Sequence, residues 1–129
     1  HAYAKNVRGR VGRKFKAYFY DLGIRNALVN QFGAIDPLTR PDTGALWENF
    51  CILERRKVAS YAGKMPNAFF WRERMGEVDY LEEKNSRVRA YECKWNPTRS
   101  SAPPIAFTRS VRPTSFMVVN PDTIREFLK

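Results

Sequence analysis

Glu92-Cys93-Lys94, preceded by Asp79, is the part of this sequence whose residue types and spacing could do chemistry. In a strand, residues i and i+2 share a face. Glu92 and Lys94 therefore project together, and Cys93 points the other way. Asp79 lies 13 residues before Glu92, a gap that closes a hairpin and can set the two acids side by side. Glu48, on a helix upstream, could complete a group of three carboxylates and one ammonium at one edge of a sheet. Such a donor set suits Mg²⁺ or Mn²⁺, because a hard cation takes oxygen ligands, keeps several waters and bridges to a phosphate. The cation would activate a bound water and offset charge on the attacked phosphorus. A lysine two residues from a ligand can orient that water or pair with the developing charge. Glu48, Asp79, Glu92 and Lys94 are thus candidate catalytic residues, the three acids being the candidate metal ligands. Plainer uses stand beside this one. Glu92 and Lys94 could form a surface ion pair worth little, Asp79 could cap a turn, and Glu48 could pair with Arg55.

Other chemistries are excluded by composition. The only histidine is His1, which removes Ser-His-Asp, Cys-His and HExxH mechanisms. Cys51 and Cys93 form no CxxC pair, so a zinc cage or disulfide framework is not indicated. They read as reduced core residues of a cytoplasmic protein. The chain has 129 residues, 43% of them hydrophobic, which suits one folded domain over residues 1–129. No apolar run is long enough to span a membrane, and no secretory signal opens the chain. No Met opens it either, so it reads as a piece of a larger protein.

Charge points to a polyanion. Lysine and arginine number 23 against 13 acids, a net +10. Residues 1–20 hold no acid but carry Lys5, Arg8, Arg10, Arg13, Lys14 and Lys16. Gly9 and Gly12 suggest a hairpin here, on which Arg8, Arg10, Arg13, Lys14 and Lys16 could track a nucleic-acid backbone. The same surface could instead dock a neighbouring module or stay solvated. Tyr18, Tyr20, Trp71 and Trp95 could stack on bases or serve as core.

The elements that must position these groups follow from periodicity. Phe15, Ala17 and Phe19 alternate with Lys16, Tyr18 and Tyr20, predicting a strand over residues 15–20. Asp21 reads as an N-cap for a helix to about residue 30. A second helix is predicted over residues 43–60, apolar on nearly every side and therefore buried. Strands are predicted over residues 69–72, 77–82 and 87–95, with turns at Gly76 and at Asn85-Ser86. A helix over 105–111, a strand over 116–119 and a closing helix over 121–129 with Pro121 in its first turn complete the chain. The order implies a mixed sheet with helices against it.

Five motifs occur in sequence: Tyr18-Phe19-Tyr20-Asp21-Leu22-Gly23-Ile24, Gly44-Ala45-Leu46-Trp47-Glu48-Asn49-Phe50, Phe70-Trp71-Arg72, Gly76-Glu77-Val78-Asp79-Tyr80 and Tyr91-Glu92-Cys93-Lys94-Trp95. Together, over residues 3–95, they resemble the uncharacterised C-terminal domain of prokaryotic AAA-type ATPases, which looks like a member of the PD-(D/E)XK nuclease superfamily. The resemblance implies an α/β, restriction-endonuclease-like core, a mixed β-sheet flanked by helices. It matches Glu48 to the core-helix glutamate, Asp79 to the motif aspartate, and Glu92 and Lys94 to the (D/E)xK pair. Val78 stands where the motif often has proline. The implied function is metal-dependent hydrolysis of DNA phosphodiesters by the C-terminal module of an ATPase. The alternative is a catalytically silent module that binds nucleic acid or a partner and regulates that ATPase. The ATPase module would lie in the same parent chain, and this fragment should bind no ATP. It has no GxxxxGK[ST] loop, and Gly9 to Lys14 has the wrong spacing for one.

Overall fold

A computed structural model describes residues 1–4, 15–74, 76–99 and 101–129. Its helices are α1 (Leu22–Leu28), α2 (Thr43–Tyr61), α3 (Ile105–Val111) and α4 (Ile124–Phe127). Its strands are β1 (Asn67–Glu73), β2 (Gly76–Lys84), β3 (Arg87–Cys93) and β4 (Ser115–Val119). The strands form one open sheet in the order β1-β2-β3-β4. β1, β2 and β3 run antiparallel in succession. β4 joins β3 in parallel after a crossover through α3. The architecture is therefore α/β with a mixed four-stranded sheet, as the order of predicted elements implied.

Each face of the sheet carries a core. Trp47, Cys51, Ile52 and Leu53 of α2 pack with Tyr80, Tyr91, Cys93, Val119 and Phe127. Phe107 and Val111 of α3 cover the other face against Trp71, Val78, Leu81, Val88 and Ala90. Each layer buries its apolar residues chiefly against the sheet. Trp47 Nε1 donates to the Val119 carbonyl at 3.0 Å and pins α2 to β4. Cys51 and Cys93 are free, buried thiols, as expected.

Local chemistry explains the boundaries. Asp21 accepts from the Gly23 and Ile24 amides and caps α1. Asn85 and Ser86 both have positive φ, 51° and 60°, the hairpin turn whose twist matches its strands. Gly76 is not a turn residue but the first of β2, paired with Glu73. A Cβ there would lie 2.8 Å from Pro104 Cγ, so glycine is required by close packing.

Several expectations change. Residues 15–20 form no strand. Their alternation survives with its sense inverted: Lys16 and Tyr18 turn inward, while Phe15 is 74% exposed and Phe19 and Tyr20 lie outside. The α2 helix is buried through Leu53 only, and Val58 and Tyr61 beyond it are exposed. β3 stops at Cys93 rather than Trp95: the Lys94 amide makes the last bond of the parallel ladder, to the Val119 carbonyl, and β4 ends there. The closing helix is a single turn that starts at Ile124. Asn120 Oδ1 accepts from the Asp122 and Thr123 amides and holds Pro121 in a turn before it. The hairpin with Arg8, Arg10, Arg13 and Lys14 lies outside the described residues. No helix among the described residues is long and apolar enough to cross a membrane.

Candidate active site

Asp79 is aimed by an irregularity in β2. Phe69 pairs with Leu81 and Trp71 with Val78, so two residues of β2, Asp79 and Tyr80, stand opposite Phe70 alone. Such a bulge bends the strand and re-aims a side chain. Strict alternation would separate Val78 from Leu81, yet both lie in the core beneath α3. Asp79 and Tyr80 are thereby turned toward the α2 face, where Glu48 sits. The pairing of β2 with β3 ends at Tyr80–Tyr91, so Asp79 lies one residue past the last rung. Its Oδ2 accepts the Cys93 amide at 2.9 Å. That bond fixes Asp79 against the strand that carries Glu92.

Burial is the main cause that raises Asp79 from 3.8 to about 6, followed by the negative charges of Glu48 and Glu92. The Cys93 amide and Lys16 oppose the rise. Glu92 Oε1 takes the Lys94 ammonium at 2.7 Å, as the i, i+2 spacing predicted. Its Oε2 is buried without a hydrogen-bond partner. Burial works against the charge on Lys94, but Glu92 outweighs it and holds the ammonium above its ordinary value.

The structure adds three groups that sequence reasoning placed elsewhere or missed. Lys16, read as part of a nucleic-acid surface, lies among the acids. Its Nζ is 2.8 Å from Glu48, 2.5 Å from Glu77 and 3.6 Å from Asp79. Burial opposes its charge, but hydrogen bonds to Glu48 and Glu77 more than compensate and raise its pKa. The Tyr18 hydroxyl donates to Glu48 at 2.8 Å. Burial, then the Glu48 charge, pushes that phenol upward. Glu77 lies within the Gly76-Glu77-Val78-Asp79-Tyr80 motif, which gave it no role. The period of two over residues 15–20 put Lys16 and Tyr18 on one face but gave no sign that this face turns inward. Of the other aromatic candidates, Trp71 is core, Trp95 packs edge-on against Trp47 at 5.3 Å, and Tyr20 meets Lys57 at 5.0 Å.

Glu48, Asp79 and Lys94 line a cleft of about 460 Å³, with Trp95 on its wall and Arg99 beside them. Among the described residues no group of three or more His, Cys, Asp or Glu side chains stands ready to hold a metal ion. The ammonium of Lys16 fills the middle of the acids instead. The donor chemistry nonetheless suits Mg²⁺ or Mn²⁺. Asp79 and Glu92 supply hard oxygen donors, one of them the unpartnered Oε2, and a magnesium site needs only one or two carboxylates beside water and phosphate.

An α/β domain whose mixed sheet ends in an acid–lysine cluster over a cleft is the class that fold and site define. Residues 43–127 match the Domain of unknown function (DUF4143). The chain belongs to that family. The match runs past Trp95 through α3, β4 and α4, and it begins at α2 rather than near residue 3. No curated protein and no solved structure matches the chain.

Proposed function

We propose that this chain is a metal-dependent, nuclease-like domain of the PD-(D/E)XK kind that hydrolyses DNA phosphodiesters, as the C-terminal module of a prokaryotic ATPase. The observation that carries the reading is the buried, unpartnered Oε2 of Glu92, with Lys94 on its other oxygen and Asp79 on the adjoining strand. A buried carboxylate oxygen without a donor costs about 1–3 kcal/mol or more, and a bound cation removes that cost. Asp79 and Glu92 would hold Mg²⁺ or Mn²⁺, with Glu48 on a second ion or orienting the first. The ion, when bound, would supply an activated water and charge neutralisation at phosphorus.

The chain's own residues do the rest. The Cys93 amide holds Asp79 in one orientation, and Glu92 holds the Lys94 ammonium where it can position the attacking water or meet the developing charge. Arg99, in the same cleft, is placed to meet a neighbouring phosphate.

Lys16 favours a second reading. Its ammonium already neutralises Glu48 and Glu77, as a silent binding module that regulates the attached ATPase would require. Calorimetric titration with Mn²⁺ separates the two. The nuclease reading expects a saturable site that is lost in Asp79→Ala. No saturable site in the intact chain overturns it, and metal-independent DNA binding then favours the second. A phosphodiesterase assay on the ATPase-bearing parent, with and without ATP, tests cutting itself.

A further inference from the structure

A second cleft lies at the opposite end of α2 from Glu48, and it is basic. It has a volume of about 730 Å³, between the second half of α2, the loop after it and the β2–β3 turn. Arg55, Lys64, Lys84, Arg87, Arg89 and Lys129 line it, and Glu82 is its single acid. Glu82 is spent on Arg55, at 2.9 and 3.0 Å. The Arg89 charge works against the rise that burial imposes on the Tyr91 hydroxyl. Lys64, Lys84 and Arg87 are exposed, and none of the ion pairs among the described residues involves them.

We infer that this cleft binds the sugar-phosphate backbone of a nucleic acid. Its lining decides against an acidic protein surface. Protein interfaces are anchored by buried aromatic or large apolar side chains, whereas the apolar lining here is Val58, Ala59, Ala62 and Pro66, with no aromatic ring. Unpaired cations on two walls, without stacking groups, suit phosphates read by charge rather than bases read by shape. Position supports the same ligand. Both ends of α2 face the same side of the sheet, and 14 residues separate Glu48 from Ala62. At a rise of about 1.5 Å per residue the two sites are roughly 20 Å apart, close to six nucleotide steps of about 3.4 Å. A nucleic-acid segment of that length is long enough to reach from one to the other. The inference does not need the acids to cut, because a silent module would use the same cleft.

Fluorescence anisotropy on the full chain, in EDTA, tests binding apart from cleavage. The probes are a labelled DNA duplex and the RNA duplex of the same sequence, titrated between about 50 and 200 mM salt. Binding of either supports the inference. In the Lys64→Ala/Lys84→Ala/Arg87→Ala variant, affinity should fall at least about tenfold, and the slope of log K against log salt should become shallower by about 2–3, near 0.9 for each phosphate no longer neutralised. All three positions are exposed, and an unchanged thermal midpoint would show the fold intact. The charge-control variant Arg74→Ala/Arg109→Ala should keep the original slope. An unchanged slope in the triple variant, an equal change per charge in the control, or binding of polyglutamate with no binding of either duplex overturns the inference.

Discussion

Glu82 and Glu92 are both buried glutamates on adjacent strands, 5% and 9% exposed, and they are treated in opposite ways. Each oxygen of Glu82 has an arginine donor, Arg55 Nε at 2.9 Å and Nη2 at 3.0 Å. Each also takes a tyrosine hydroxyl, from Tyr80 at 3.3 Å and Tyr91 at 3.4 Å. Arg55 spends its remaining Nη1 on the Phe127 carbonyl at 2.6 Å, so one guanidinium ties α2, β2 and α4 together. Nothing there is left over for a ligand. Glu92 has one donor and one bare oxygen, and Asp79 beside it adds negative charge rather than removing it. A buried charge that is fully hydrogen-bonded holds a fold together. A buried charge left under-satisfied beside others of its sign holds energy in reserve for a ligand.

The largest effect should come from breaking the satisfied cluster. Arg55→Ala strands Glu82 in the core and should cost about 3–5 kcal/mol, read as a lower urea midpoint. A loss below about 1 kcal/mol would erase the contrast between the two glutamates.

Asp79 should set a pH dependence of reversed sign from that of a salt-bridged acid. It titrates near 6 in the folded chain against 3.8 when free. Between those values the folded state keeps a proton that the unfolded state has lost. Stability should therefore fall as pH rises from about 4 to about 6, by an amount on the order of 3 kcal/mol, and level off above. Asp79→Asn should remove that slope and raise stability at neutral pH, since an amide oxygen can still accept from Cys93. Urea melts across the pH range decide it, and a slope unchanged in the variant would refute the assignment.

Lys16→Met removes the ammonium that Glu48, Glu77 and Asp79 share. It should cost about 1–2 kcal/mol in EDTA, and Mn²⁺ should restore the loss by taking over the charge. A loss that no divalent ion repairs would make Lys16 a structural residue only. The smallest change in stability belongs to Glu92→Gln, within about 1 kcal/mol of the original chain, while the Mn²⁺ isotherm disappears. Unfolding of that variant would place Glu92 with Glu82, and the contrast would fail. Arg8→Ala/Arg10→Ala/Arg13→Ala should weaken DNA binding and flatten its salt dependence. Compared with the cleft variant, this shows which basic region neutralises more phosphates.

Much of this was legible in the chain. The pairing of Glu92 with Lys94 follows from a period of two, the hairpin of β2 and β3 from Asn85-Ser86, and the cap of α1 from Asp21, because each involves residues a few positions apart. The inward turn of Lys16 was not legible, because Phe15, Ala17 and Phe19 are the apolar partners in that alternation and hydrophobicity alone would bury them. Three acids across the gap reverse the preference, because their charges offset the cost of taking the ammonium out of water. The pairing of Arg55 with Glu82 was hidden as well, being 27 positions apart with Glu48 an equally good partner on paper.

By itself, then, the amino-acid order determined that the helices and strands after residue 21 exist, in what sequence they come, and which acids and amines were available, since local periodicity and turn chemistry need no distant partner. Only the tertiary structure decided which charge met which. A single extra residue in β2 opposite Phe70 swung Asp79 toward α2, and the depth of each glutamate determined whether its oxygens found donors. Electrostatic energy depends on distance and burial, and neither is written in a one-dimensional order.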